Sequence, residues 1–399
     1  MTKRLALVLG LLVGVVILAA TAQAGMKTQK ATNVVLAGWS SGGDEDNLLQ
    51  KVLDTFNQTH PSVHATLQII NTNYGDAMTA RFAAHNPPNV FYVDSYIAGQ
   101  WEKQGVLQPL NGYIKKSHFD TSKFFPRLLG AFKHGKTVYG FPKDWSPLAT
   151  EVNNSLFAKA GVKVPKTWAQ LKSVAQTMVQ KHVISGGGRP ICLSPDWARM
   201  LAFIYQGGGS IKHVTSKATA QAVNFYVGLL KSGLAGTPAQ LGAGWCGEAL
   251  GKGKSAIIFE GNWLIPYMKS TFPAVHYGIA PMVKGKDQGN LAFTVSYSMG
   301  KDSQDKAAAW TLLSWLVSKK GQKIWNSLGL ALPSRTDVKA VGGRGPFLRA
   351  APFAHGWGFG NPNFNNAYTV MGNDITAVIS GQKTTQQMLS DVAKALKGQ

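Results

Sequence analysis

Short apolar runs alternate with amphipathic segments along most of the chain. Residues 255–259 form an apolar run that is typical of a strand buried on both faces. Residues 33–38, 63–70 and 89–94 predict further strands. After the first of these, Asp46 is suited to cap a helix whose apolar residues recur at helical spacing up to Phe56. The alternation of strands and helices predicts an α/β protein.

The second half of the chain continues in the same way. Helices are predicted over residues 167–181, 197–206, 219–232, 302–318, 321–328 and 368–379 and from residue 385, and strands over residues 277–280 and 293–297. No internal repeat or long low-complexity linker interrupts the pattern. A chain of 399 residues is long enough for two domains with complete hydrophobic cores.

The buried strand over residues 255–259 ends in Glu260-Gly261-Asn262-Trp263. In open α/β sheets, ligands bind at the carboxyl ends of the strands. Trp263 therefore has two interpretations. It is either a core aromatic residue that covers the strand end, because tryptophan is largely buried on average, or an aromatic platform for a ligand. In the second case Glu260 and Asn262 are its polar neighbours.

The amino end has the pattern of a secretory signal peptide. Lys3 and Arg4 precede an apolar run over residues 5–20, and Ala22-Gln23-Ala24 offers small residues for cleavage before Gly25. An uncleaved anchor is the weaker alternative, because the run is short for a bilayer. No cysteine follows the run, so lipid attachment there is excluded. We expect residues 1–24 to be removed from a periplasmic or otherwise extracytoplasmic protein that is not a lipoprotein.

The chain contains two cysteines, Cys192 and Cys246. In an oxidising compartment they can form one disulfide, but the sequence leaves open whether they pair. Two cysteines far from any histidine pattern do not indicate a zinc site. We expect no metal and no cofactor.

Basic residues outnumber acidic ones, with 41 Lys and Arg against 19 Asp and Glu. Removal of residues 1–24 takes away Lys3 and Arg4 and no acid, which leaves 39 basic residues and a balance of +20. Nucleic acid or an anionic surface would attract such a charge. The cations are scattered, however, and no nucleic-acid-binding module is present. We interpret the excess as adaptation to an acidic medium and expect the fold to persist at low pH.

Aromatic and polar residues meet at the predicted loop edges. The aromatic candidates are Trp39, Trp145, Trp197, Trp263, Trp357 and Tyr368, and the polar candidates are Ser40, Asp44, Glu45, Asp94, Asp144, Glu260 and Asn262. The apolar face of a sugar ring stacks on aromatic rings, and its hydroxyls donate charge-assisted hydrogen bonds to carboxylates. Some of these aromatics are expected in the core. Asp94 can also cap the helix that follows it.

Several segments carry a resemblance to a known family. They include NVVLAGWSSGGDEDNLLQKVLDTFNQTHP, NPPNVFYVDSYIAGQWEKQGVLQPL, YGFPKDWSPLATEVNNSLFAKAGV, GKSAIIFEGNW and the closing VISGQKTTQQMLSDVAKAL. In order and spacing, the chain from Val34 onward resembles the family-1 extracellular solute-binding proteins of ABC importers. That group includes the maltose-binding protein.

The resemblance implies two α/β lobes, each a mixed sheet flanked by helices, that close on a ligand by hinge motion. It implies a first lobe over residues 33–143 and 285–324 and a second lobe over residues 144–284 and 325–399. It assigns Asp94 and Asp144 to sugar hydroxyls, and Trp263, Trp197 and Tyr368 to stacking. The loop over residues 40–46 matches one that supplies polar contacts, although no lysine stands in it. Trp145 and Trp357 are candidates on chemistry alone.

The leading hypothesis is a monomeric binding protein without enzymatic activity that closes on a mono- or oligosaccharide and delivers it to the membrane permease of an ABC importer. A secreted glycoside hydrolase is one alternative, because it also needs two carboxylates, for which Asp94 and Asp144 could serve. No nucleophile motif, metal pattern or phosphate loop supports it. The other alternative is a binding protein for an anionic solute such as a glycerol phosphate. It would need arginines at the cleft, where Arg199 is the nearest candidate.

Overall fold

The computed structural model describes residues 31–40, 43–356 and 361–399. The predicted signal peptide over residues 1–24 and the candidate site residue Trp357 lie outside the described residues. Among the helices that are described, none is long and apolar enough to cross a membrane.

The described elements alternate between strands and helices. In chain order, the first part comprises β1 (Thr32–Gly38), α1 (Gly43–Thr59), β2 (Val63–Ile69), α2 (Tyr74–Ala83), β3 (Val90–Asp94), α3 (Ser95–Lys103), α4 (Asn111–Ser117), α5 (Pro126–Gly130), β4 (Lys133–His134), β5 (Thr137–Val138), β6 (Gly140–Pro147), β7 (Ala149–Asn153), α6 (Asn154–Ala160), α7 (Trp168–Gln180), β8 (Ile191–Cys192) and α8 (Trp197–Gln206). The second part comprises α9 (Lys217–Lys231), β9 (Ala235–Gly236), α10 (Cys246–Gly251), β10 (Ile257–Glu260), α11 (Leu264–Thr271), β11 (Tyr277–Ala280), β12 (Asn290–Met299), α12 (Lys306–Leu316), α13 (Lys319–Trp325), α14 (Gly345–Ala350), β13 (Ala354–Gly356), α15 (Phe364–Ser380) and α16 (Thr385–Lys397).

Apart from β4 and β5, which form a two-stranded sheet of their own, the described strands build two mixed sheets, one in each of two lobes. The first sheet has the order β13-β12-β3-β1-β2, and β6 also pairs with β12. Within it β1 is parallel to β2 and β3, whereas β12 is antiparallel to β3 and β6. The second sheet has the order β11-β7-β10-β8-β9, in which β7 is antiparallel to β10 and β11. The predicted α/β class with two lobes is confirmed.

The helices cover these sheets with apolar faces that the sequence spacing specifies. In α1, residues Leu49, Val52, Leu53 and Phe56 are buried at intervals of three and four, which places them on one face of the helix. This helix begins at Gly43, before the predicted cap at Asp46. Asp44, Glu45 and Asp46 therefore occupy its first turn, where the helix dipole favours negative charge.

Two of the connections between the lobes are hydrogen-bonded to each other. The chain passes from β6 in the first sheet to β7 in the second through the single residue Leu148. It returns between β11 and β12, the strand that begins with Asn290. The Asn290 side chain donates to the Leu148 carbonyl at 2.7 Å and accepts from the Leu148 N–H at 3.1 Å. Bending at one connection is therefore coupled to the other.

A disulfide joins Cys192 of β8 to Cys246, the first residue of α10, with a Cα–Cα distance of 5.5 Å. The sequence left this pairing open. The bond closes a loop with a sequence separation of 54, for which the chain-entropy model gives a stabilisation of about 4 kcal/mol.

Candidate ligand-binding site

A cavity of about 850 Å³ lies between the two lobes. The first lobe contributes Trp39, just after β1, and Asp44 and Glu45 from the first turn of α1. The second lobe contributes Trp263 and the helix that follows it. A volume in the range of about 300–1,000 Å³ is typical of small-molecule sites. The walls of this cavity therefore come from both lobes.

A buried ion pair forms the floor of this cavity. Lys143 is 4% exposed, and its Nζ lies 2.6 Å from Asp144 Oδ2 and 3.6 Å from Glu45 Oε1. The same ammonium lies over the rings of Tyr92 and Trp325, at 4.9 and 4.1 Å from the ring centroids. The carboxylates and the ring faces together balance the buried positive charge.

Asp144 is held with one carboxylate oxygen directed to the protein. Both Lys143 Nζ and Trp325 Nε1 donate to Oδ2, the latter at 2.8 Å. No hydrogen bond to Oδ1 occurs within the described part of the chain, and Asp144 lines the cavity. Oδ1 is thus the oxygen that can accept a hydrogen bond from a ligand hydroxyl.

A bulge in β6 explains how two consecutive side chains reach the cavity. Asp144 pairs with Val295 of β12, but the next pair along the strand joins Pro142 to Ser296. Lys143 is the extra residue between them. Alternation along a regular strand would send neighbouring side chains to opposite faces, and a bulge breaks that rule.

Trp263 forms the aromatic wall of the second lobe. Its ring meets Phe293 edge to face at 5.3 Å, and its Nε1 donates to Glu260 Oε2 at 3.1 Å. Glu260 is fully buried and accepts two further hydrogen bonds from Arg199, at 3.2 and 2.6 Å. Burial raises the pKa of Glu260, and the guanidinium counters that rise. Glu260 therefore holds the Trp263 ring from behind and does not itself line the cavity.

A smaller cavity of about 330 Å³ lies on the other side of Trp39. Asp94 lines it together with Tyr74 and Tyr96. The Asp94 carboxylate accepts a hydrogen bond from the Tyr96 N–H at 3.2 Å and so caps α3. Burial raises the pKa of Asp94 to about 7, although this hydrogen bond opposes the rise. Asp94 therefore both caps α3 and lines the smaller cavity.

Tyr368 lies next to this smaller cavity. Its ring stacks on Tyr96, with centroids 5.7 Å apart and an interplanar angle of 28°. The two residues belong to α15 and α3, which approach closely. A Cβ at Gly99 of α3 would lie 3.3 Å from the backbone of Asn361, just before α15.

Four further predicted site residues do not line either cavity. Trp145 is 4% exposed, and its Nε1 donates to the Pro333 carbonyl at 3.2 Å. Trp197 is 1% exposed in the core of the second lobe, against Phe364. Asn262 is fully buried and donates its side-chain NH₂ to Ser146 Oγ at 3.1 Å. Ser40 is exposed and donates to Asp46 Oδ2 at 2.7 Å. We do not retain these four as ligand contacts.

Other residues line the larger cavity without having been predicted. They include Lys143, Trp245, Tyr267, Phe293 and Trp325. Tyr267 follows Trp263 by four residues in a helix, so its presence on the same face could have been inferred from helical spacing. Trp245, Phe293 and Trp325 come from distant parts of the chain, and no local pattern marks them.

A two-lobed α/β fold with an aromatic and acidic cavity between its lobes defines a solute-binding protein. The chain belongs to the bacterial extracellular solute-binding protein family, whose model matches residues 39–323.

The chain is also similar in sequence to named relatives and in fold to solved structures. A "Probable sugar-binding periplasmic protein" of Rhizobium meliloti is 26% identical over 361 residues, which cover 82% of this chain and 80% of that protein. An ABC substrate-binding protein from Listeria monocytogenes in complex with cycloalternan superposes with a TM-score of 0.82 at 20% identity, covering 92% of this chain and 98% of that one. UgpB from Mycobacterium tuberculosis in complex with glycerophosphocholine has a TM-score of 0.78 at 16% identity, covering 91% and 97%.

Proposed function

We propose that this chain is the extracytoplasmic substrate-binding component of an ABC importer, which binds a mono- or oligosaccharide between its lobes and delivers it to a membrane permease. The observation that carries the proposal is the shared cavity in which Trp39 and Trp263, from opposite lobes, accompany the Asp144 carboxylate. Indole rings offer faces for the apolar side of a sugar ring, and Asp144 Oδ1 accepts from a hydroxyl.

Closure of the lobes would surround the ligand and exclude water from these contacts. The proposed lobes follow the predicted ones, residues 33–143 with 285–324 and 144–284 with 325–399, except that the first boundary moves to Leu148, because β6 pairs in the first sheet up to Pro147. The short strand β13 also pairs in the first sheet. The coupled connections at Leu148 and Asn290 support a hinge there, because few residues would need to change their backbone angles.

The charge of the cavity favours a neutral ligand over an anionic one. Three carboxylates line its described walls, those of Asp44, Glu45 and Asp144, whereas Lys143 already pairs with two of them. Arg199, the cation that an anionic solute would require, is engaged by Glu260 and by Asp196 at 3.1 Å. A phosphate would therefore meet more negative than positive charge.

The carboxylate pair considered for a glycoside hydrolase, Asp94 and Asp144, does not line one shared cavity. A glycosidase needs two carboxyl groups on either side of one bond. Asp94 lines the smaller cavity and caps α3, whereas Asp144 lies on the floor of the larger one.

A thermal-shift screen over neutral sugars, with glycerol 3-phosphate as the anionic comparison, tests the proposal. A sugar present at about 100 times its Kd would add about 2.7 kcal/mol to the free energy of unfolding and raise the Tm. Hits are then measured by calorimetry, and the mixture is assayed for released product. A shift with glycerol 3-phosphate alone would support the anionic alternative, and turnover of a bound sugar would refute a pure binding role.

A further inference from the structure

A half-buried tryptophan outside the predicted site residues also lines the larger cavity. Trp245 immediately precedes Cys246 and lines the cavity together with Tyr267 and Ser270. Its ring meets Tyr267 edge to face, with centroids 4.7 Å apart. It is therefore an aromatic surface that faces the same space as Trp263.

The face of α11 connects these two tryptophans. Trp263, Pro266, Tyr267 and Ser270 recur at intervals of three and four, and all of them line the cavity. At about 1.5 Å per residue, Tyr267 lies roughly 6 Å along the helix from Trp263. That spacing is on the scale of one sugar ring. The cavity-lining face of α11 therefore extends from Trp263 to Tyr267, which contacts the Trp245 ring.

The disulfide fixes the backbone beside Trp245. Cys192 belongs to the second sheet and Cys246 begins α10, and both are buried in a cluster with Leu241 and Leu264. A covalent bond at the next residue limits the positions that the Trp245 backbone can take. Less conformational freedom is then lost when a ligand binds.

Gly247 makes room for the ring itself. A Cβ at this position would overlap Cη2 and the neighbouring ring carbons of Trp245. The indole therefore lies against bare backbone, and any side chain at residue 247 would displace it.

We propose that Trp245 is a specificity-determining platform for an additional sugar ring of an oligosaccharide, positioned by the Cys192–Cys246 disulfide and by the missing side chain at Gly247. The inference rests on the proposed sugar-binding function and narrows its ligand class to oligosaccharides. A ligand that reaches only Asp144 and Trp263 does not need Trp245, whereas a longer one does. Reduction of the disulfide would accordingly weaken the binding of longer ligands.

The test compares affinities across ligand length. Calorimetry is carried out with glucose to maltotetraose and with mannose to β-1,4-mannotetraose. The proteins are the wild type, Trp245→Ala, Gly247→Ala and the Cys192→Ser/Cys246→Ser double variant. We expect Trp245→Ala to leave the shortest bound sugar within about twofold of wild type and to weaken the longer ones about tenfold. Gly247→Ala should reproduce this pattern with the disulfide intact, so the result does not depend on the folding of the cysteine variant.

Trp315→Ala serves as a matched control. Trp315 is also partly buried, but it packs on Phe56 in the first lobe, so its loss should not change affinity at any length. An equal loss for all lengths in Trp245→Ala, or none, would overturn the inference alone. The inference also fails if the wild type binds a disaccharide no more tightly than the corresponding monosaccharide. If no sugar of either series binds the wild type while glycerol 3-phosphate does, the proposed function fails and the inference falls with it.

Discussion

The indole nitrogen of Trp263 donates its hydrogen bond to Glu260, a residue three positions earlier in the chain. Glu260 ends β10 and Trp263 precedes α11, so the bond spans the turn at which the strand gives way to the helix. Because Arg199 fixes both oxygens of the Glu260 carboxylate, the ring orientation depends on an ion pair that does not line the cavity.

Loss of Arg199 should damage stability and binding together. Arg199→Ala leaves the buried Glu260 carboxylate without its cation, which costs about 3–5 kcal/mol in comparable buried pairs. Chemical denaturation measures that loss, and calorimetry on the folded fraction measures the affinity. Lys394→Ala, which breaks the exposed pair with Asp391, is the control and should change neither. Unchanged stability together with unchanged affinity would show that the ion pair neither stabilises the fold nor positions Trp263.

Substitutions of Trp263 and Trp145 should have opposite effects on affinity and on stability. Trp263→Ala removes a ring from the cavity wall and should weaken sugar binding about tenfold or more, with the fold largely intact. Trp145→Phe alters a buried ring that donates to Pro333, so it should lower the Tm and leave the Kd unchanged. If Trp263→Ala left the Kd unchanged and Trp145→Phe raised it, the larger cavity would not be the binding site.

The Asp144 carboxylate should be needed for affinity. Asp144→Asn replaces a charged acceptor by an amide and removes the closest anion to Lys143, at 2.6 Å. Charge-assisted hydrogen bonds are roughly twice as strong as neutral ones, so we expect about a tenfold rise in Kd. Asp54→Asn, on the exposed face of α1, is the control. Unchanged affinity for the best sugar would remove Asp144 from the site.

Stability should increase as the pH falls from about 7 towards about 4. Burial raises the pKa of Asp94 and Glu102 to about 7 and that of Glu151 well above its ordinary value. The folded state then binds more protons than the unfolded state, in which these carboxyls titrate near pH 4, so the free energy of unfolding falls as the pH rises through this window.

Glu151→Gln tests the origin of this slope. The amide stays neutral at every pH and can still accept the hydrogen bond from the Glu260 N–H, at 2.9 Å in the wild type. The free energy of unfolding, measured by denaturation at several pH values, should therefore change less with pH in the variant than in the wild type. A wild-type protein that loses stability steadily on acidification through the same window would also contradict the interpretation of its positive charge as adaptation to an acidic medium.

Local patterns alone specified much of this molecule. The helix over residues 197–206 is present as predicted, because its apolar spacing and its flanking residues act within a few positions of each other. The same holds for the buried strand before Trp263 and for the buried face of α1. Half-buried Trp263, at the end of that strand, lines the cavity in which we propose that the ligand binds.

The tertiary structure decided the direction in which individual side chains point. Trp145 and Trp197 belong to the predicted set, yet neighbouring elements bury both rings. The bulge opposite β12 turns Lys143 as well as Asp144 towards the cavity, and the pairing of Cys192 with Cys246 sets the wall that contains Trp245. The sequence by itself determined which segments form strands and helices, since those choices depend on near neighbours. Register and packing depend on residues far apart in the chain, so only the folded molecule determines which rings line the cavity.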